Sequence, residues 1–108
     1  MSAAELKIAG DMPAATGKAM LYLVIERFKE GAAPEIYRRF HEKGRMMPDG
    51  LKYLSSWIDL DFKICWQLMQ TEDFALFDQW IGNWRDLMDF EVVPVRTSAE
   101  AIKLMFPQ

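Results

Sequence analysis

At 108 residues, with 51% apolar and 27% charged side chains, the chain has the size and composition of one soluble globular domain. A net charge of −3 gives no whole-surface attraction to nucleic acid or anionic lipid, and every apolar run is far shorter than the roughly 20 residues of a membrane helix. One cysteine, Cys65, rules out an internal disulfide, and one histidine leaves too few ligands for an ordinary zinc site. A reducing cytoplasm, with no metal or other cofactor, is the expectation.

Residues 1–19, MSAAELKIAGDMPAATGKA, have no apolar period and carry Gly10, Pro13 and Gly17. They read as a loosely structured leader without the apolar stretch of a secretory signal, and a single domain is expected over 20–108. MLYLVIERF (20–28) is a predicted strand, rich in β-compatible residues and too short for a buried helix. GAAP (31–34) then breaks the pattern, with Pro34 suited to a first helical turn. Over 34–47, Ile36, Tyr37, Phe40, Gly44 and Met47 share one face of a predicted helix. Arg38, Arg39, Glu42 and Arg45 lie mostly opposite, and Pro48 with the Pro-Asp-Gly turn ends it.

LKYLSSWIDL (51–60) and KICWQLMQT (63–71) are the two strands of a predicted hairpin. DFALFDQWIGNWRDLM (73–88) carries the clearest helical stripe, made of Phe74, Phe77, Trp80, Ile81, Trp84 and Met88. DFEVVPV (89–95) is a further strand, and Pro94 suggests that it lies at a sheet edge. Thr97 and Glu100 are spaced as a capping box that opens a short final helix through Phe106. The expected class is therefore α+β: a ferredoxin-like β-α-β-β-α-β antiparallel sheet, with two helices on one face and a short C-terminal helix.

A sheet covered by helices on one side turns polar on the other when water touches it. These strands do not. Leu21, Leu23 and Ile25 alternate with Met20, Tyr22 and Val24; Ile64, Trp66 and Leu68 alternate with Cys65, Gln67 and Met69; the last strand is similar. Two apolar faces need two covers, so a homodimer packed through the open sheet face is expected. The alternative is that the final helix folds back over that face.

MLYLVIERF, YRRFHEKGRM, PDGLKYLSSW, WIGNWRDL and DFEVVPV together resemble the domain of unknown function 3303 family, a set of short bacterial proteins. The resemblance covers about residues 20 to 100. It implies membership of the dimeric α+β barrels, a superfamily that also contains cofactor-free monooxygenases and muconolactone-isomerase-like proteins, with pockets between sheet and helices. It implies no particular activity.

Five residues are candidates for lining such a pocket. Glu26 and Gln67 place polar groups amid apolar neighbours on strands that this topology makes central, where a carboxylate needs a partner. Tyr53 and Trp57, four apart on one strand and so expected on one face, either line a cavity or fill the core or the dimer interface, and Trp66 on the neighbouring strand has the same alternatives. His41, at the edge of the first helix's stripe, offers acid–base chemistry near neutral pH; with no orienting carboxylate nearby in sequence, a boundary residue is the default.

Glu91, mid-strand between Phe90 and Val92, has the chemistry for a pocket or acid–base role or for pairing with an arginine across the sheet or the dimer, and Cys65 reads as a buried inert thiol. Gly44 reads as allowing close helix–sheet approach, or else as leaving room for a ligand. Arg38, Arg39, Lys43 and Arg45 form a basic patch with the chemistry to bind an anion, carboxylate or phosphate, although solvated helix surface is the default. No nucleic-acid motif is present. The leading expectation is a small-molecule-binding dimer. A cofactor-free monooxygenase or isomerase using Glu26 or His41 as base is one alternative, and a structural or interaction dimer without ligand is the other.

Overall fold

The computed structural model describes residues 6–8 and 18–107. The elements run β1 (Leu6–Ile8), β2 (Met20–Phe28), α1 (Ala33–Lys43), β3 (Lys52–Ile58), β4 (Ile64–Thr71), α2 (Leu76–Gly82), β5 (Met88–Val95) and α3 (Ser98–Met105). The chain is α+β. Strands β2 to β5 form an open antiparallel sheet, and β1 adds to its edge in parallel with β5. The spatial order is β1-β5-β2-β4-β3, so β2 and β4 are interior strands. Of the expected leader, 1–5 and 9–17 lie outside the described residues, while Leu6–Ile8 pair with Phe90–Val92.

Alternation along β2 sends Tyr22, Val24 and Glu26 into the buried layer and leaves Leu21, Leu23 and Ile25 half-buried on the other face. Their antiparallel neighbours follow the same sides, so Met69 stands opposite Tyr22 while Leu68 stands opposite Leu23. The buried layer packs beneath α2 through aromatic rings. Tyr22 meets Phe77 edge-on at 5.0 Å, and Trp80 meets Phe90 at 5.5 Å.

Both principal helices are shorter than their apolar stripes. Helix α1 stops at Lys43 rather than near Pro48, because Gly44 takes φ 68° and its N–H closes on the Phe40 carbonyl at 2.7 Å. Gly44 therefore serves as a helix terminus. Nothing lies within 4 Å of where its Cβ would be, so close helix–sheet approach is not the reason for a glycine there. Around α2, i→i+3 hydrogen bonds such as Phe77 to Phe74 and Trp84 to Ile81 replace α-helical ones at both ends. Phe77, Trp80, Ile81 and Trp84 still reach the core, and Met88 begins β5.

Two strand details depart from the sequence reading. Strand β5 is not the sheet edge, since β1 lies outside it; Pro94 falls beyond the three positions that β1 pairs with. Strand β3 carries a register shift between Tyr53 and Ser55, after which Ser56 stands opposite Gln67 and Trp57 opposite Trp66.

The capping box is present: Glu100 N–H donates to Thr97 Oγ1 at 3.1 Å, and Thr97 N–H donates to Glu100 Oε1 at 3.0 Å. Helix α3 leaves Ile102, Leu104, Met105 and Phe106 exposed, so these side chains do not cover the sheet. The outer face of the sheet carries Leu21, Leu23, Ile25, Trp66, Leu68 and Val93, all half-buried. Its charged residues include Arg27 and Glu91, which pair at 2.9 Å.

Candidate functional site

Two interior strands each hold a polar side chain where the pattern around it is apolar. Glu26 on β2 and Gln67 on β4 are both 5% exposed. The β2–β4 register sets Val24 opposite Gln67 and Cys65 opposite Glu26, so the polar pair meets diagonally under the helices, and Gln67 Nε2 donates to Glu26 Oε2. Burial pushes the Glu26 carboxyl up to about 7, against the hydrogen bond from Gln67, the charge of Arg45 and the thiol of Cys65. Burial, together with the neighbouring Glu26, pushes the Cys65 thiol up to about 12, which keeps it protonated and unreactive.

Arg45 reaches this pair from the connection between α1 and β3. Its backbone carbonyl accepts two indole N–H groups, from Trp80 at 3.0 Å and Trp84 at 2.9 Å. Asn83 Nδ2 donates to the next carbonyl, that of Met46, at 3.1 Å, where the backbone has turned to φ 58°. The pinned turn lays the guanidinium over the Tyr53 ring, 3.6 Å from its centroid, with Phe40 at 5.0 Å. Arg45 Nε donates to Gln67 Oε1 at 3.2 Å and one Nη makes a long contact of 3.4 Å to Ser56 Oγ, which lies 2.6 Å from the Tyr53 hydroxyl. The result is a polar chain, Glu26–Gln67–Arg45–Ser56–Tyr53.

Glu26, Gln67, Arg45 and Ser56 of that chain form one wall of a cavity of about 190 Å³ between α1 and the helix-facing side of the sheet. Ile36, Trp80, Trp84 and Met88 supply apolar walls, and Tyr37, Phe40 and Trp57 border it where they are partly exposed. A cavity of roughly 150 Å³ already accepts benzene in a protein core, so a single-ring compound fits this scale. Among the described residues no carboxylate ion-pairs with Arg45, whereas Arg38 bonds Glu35 and Glu42, and Arg39 grips Asp86 with both Nη atoms at 2.9 and 2.8 Å.

Of the five candidate residues, Glu26 and Gln67 border the cavity from the buried face of the sheet, while Trp57, whose cross-strand partner Trp66 is on the outer face, borders it at the edge strand β3. Tyr53 stands behind Arg45 and holds it. Tyr53 and Trp57 are not on one face: the bulge near Leu54 inserts a residue, so Tyr53 pairs with Met69 on the buried side and Trp57 with Trp66 on the outer side. His41 is exposed on α1 and borders no part of the cavity. Glu91 pairs with Arg27 on the outer face. The basic patch is divided: Arg38 and Arg39 are engaged by carboxylates, while Arg45 turns inward.

Arg45 is the residue that sequence reasoning placed elsewhere. A helix continued to residue 47 puts it on the polar face. The available signal was Gly44 immediately before it, which ends the helix and moves Arg45 into the connection. Ser56 and Ile58 were missed as well, because the bulge turns them toward the cavity.

Among the described residues no helix is long and apolar enough to cross a membrane, and no group of three His, Cys, Asp or Glu side chains is placed to hold a metal ion. No curated protein and no solved structure matches the chain. The family model described as "Domain of unknown function (DUF3303)" matches residues 20–108, and the chain belongs to that family.

Proposed function

We propose that this protein is a ferredoxin-like, dimeric α+β barrel that binds a small molecule between its sheet and helix α1. The observation that carries the reading is the cavity of about 190 Å³ with a buried carboxyl on one wall and, beside it, an arginine that no carboxylate among the described residues pairs with. Buried polar groups in a filled core satisfy one another and leave no room; here room remains beside them. This favours a ligand over a purely structural dimer. Trp66, the large ring suited to filling such a space, lies on the outer face.

The dimer is part of the same proposal. Exposing Leu23, Ile25, Trp66, Leu68 and Val93 together is costly at roughly 25 cal/mol per Å² of apolar surface. A second copy packed sheet to sheet covers this face and leaves the cavity on the far side of each sheet. A cytoplasmic setting suits the unreactive thiol of Cys65.

A second reading rests on the near-neutral Glu26. A carboxyl near 7 is matched to exchanging protons with a bound substrate, so a cofactor-free isomerase or oxygenase is the enzymatic alternative. Native mass spectrometry of freshly purified protein tests the binding reading, with a dimer carrying extra mass as the expected result. A chain of 12.6 kDa with nothing bound, under conditions that preserve complexes, counts against both the dimer and the ligand. Turnover of aromatic or lactone substrates that is lost in Glu26→Gln decides for the enzyme.

A further inference from the structure

We propose that the cavity takes a small planar organic anion, an aromatic carboxylate or an enolate, and that Glu26 takes up one proton as the anion binds. The inference deepens the binding reading above and rests on it. The charges that face one another across this partly open cavity can be counted. Arg45 brings a guanidinium to the cavity wall, held by Tyr53, Phe40 and the Trp80 and Trp84 indoles, and no carboxylate among the described residues pairs with it. Its Nε donor reaches Gln67 and one Nη reaches Ser56, while the other Nη makes no hydrogen bond to a described residue. A guanidinium with a free planar edge matches the two oxygens of a carboxylate or the oxygens of an enolised dicarbonyl.

The compensating negative charge in the empty site is Glu26, which feels Arg45 through space and is joined to it through Gln67. The other ionisable groups facing Glu26 are Cys65 beside it on β4 and Tyr37 on α1, and burial raises the pKa of each, which keeps them neutral. From β5 and α2 the facing residues are Phe90, Trp80 and Trp84, which carry no charge. One guanidinium thus faces one anion. When a ligand anion takes the guanidinium, a second negative charge on Glu26 would sit in the same low-dielectric space, and like charges so placed do not both ionise. The balance is one carboxylate of Glu26 plus one proton from solvent, giving the neutral acid, whose O–H is then able to donate. Apolar and aromatic walls around a space of single-ring size choose a planar organic acid over an inorganic anion.

The test uses benzoate and its neutral isostere benzamide on the full-length protein, followed by tryptophan fluorescence and by calorimetry in buffers of different ionisation enthalpy. Trp80 and Trp84 line the cavity and act as reporters. Benzoate is itself ionised from pH 7 to 9, so any pH dependence there belongs to the protein. Uptake of one proton makes benzoate affinity fall by up to about tenfold per pH unit above neutrality, because binding and protonation are linked. Benzamide affinity stays flat. Glu26→Gln, which resembles the protonated acid, flattens the benzoate profile, and Arg45→Met weakens benzoate at least tenfold while sparing benzamide.

Benzoate bound no better than benzamide, a flat benzoate profile in the wild type, or a steep profile persisting in Glu26→Gln overturns the inference and leaves the pocket standing. Failure of both probes to bind at millimolar concentration removes the pocket reading and the inference together. The wild-type pH profile decides the matter even where a variant fails to fold.

Discussion

Trp80 and Trp84 donate their indole N–H groups to one acceptor, the Arg45 carbonyl, at 3.0 and 2.9 Å. Two buried rings from the α2 region therefore fix the turn that follows α1, and that turn aims Arg45 at the cavity. Removing either donor leaves the other in place; removing both leaves the carbonyl without an indole partner. Trp84→Phe is expected to lose about 1–2 kcal/mol, combining one hydrogen bond with a small loss of packing. The double change with Trp80→Phe is expected to lose more than the two single losses added together. Urea unfolding of the four proteins in the cycle checks this, and simple additivity contradicts a shared anchor.

Glu26 gives stability a pH dependence of unusual sign for a carboxylate. Its folded value, about 7, lies above the ordinary 4.5, so the folded state holds the proton more tightly than the unfolded chain. Its contribution is fully present below about 4.5 and is lost as pH rises through 7. The loss is on the order of 3 kcal/mol across that window. Glu35, Asp59 and Asp86 act oppositely: hydrogen bonds from Arg38, from the Ile64 and Lys63 amides, and from Arg39 hold them low, so their contributions fall away only in more acidic solution. Wild type is expected to lose stability from pH 5 to pH 8, and Glu26→Gln to lose much less. Equal slopes in denaturant melts at the two pH values contradict the assignment.

Gly44 and Gly82 predict opposite outcomes for the same substitution. Gly44 stands at φ 68° and ψ −159°, a region nearly closed to side chains, so Gly44→Ala costs about 1–3 kcal/mol although a Cβ meets nothing within 4 Å. Gly82 ends α2 without a positive φ, and its Cβ position is equally open. Gly82→Ala is expected to stabilise by up to about 1 kcal/mol. Thermal melts of the two variants check the two signs, and a Gly44→Ala protein as stable as the wild type contradicts the strain assigned to φ 68°.

Leu23 lies mid-strand on the outer face, between Leu68 on β4 and Val93 on β5. Leu23→Glu puts a charge at the centre of the proposed dimer contact. Light scattering is expected to move from twice the chain mass to 12.6 kDa, with the pH dependence due to Glu26 retained. A variant that remains dimeric places the contact elsewhere.

The period-2 pattern of β2 and β4, apolar on both faces, was legible from the residues because alternation is a property of the strand itself. For the same reason Glu26 and Gln67 stood out as polar side chains on interior strands, and the Thr97–Glu100 capping box could be read from its spacing alone. Where α1 ends and where Arg45 points are decided across the fold, by Gly44 turning at φ 68° and by indoles about forty residues away. The faces of Tyr53 and Trp57 are likewise set by a bulge against β4, and a single inserted residue reverses every side chain after it. Local periodicity settled which segments form strands and which faces are apolar. Only competition between distant partners for one turn and one register could decide which side chains meet around the cavity.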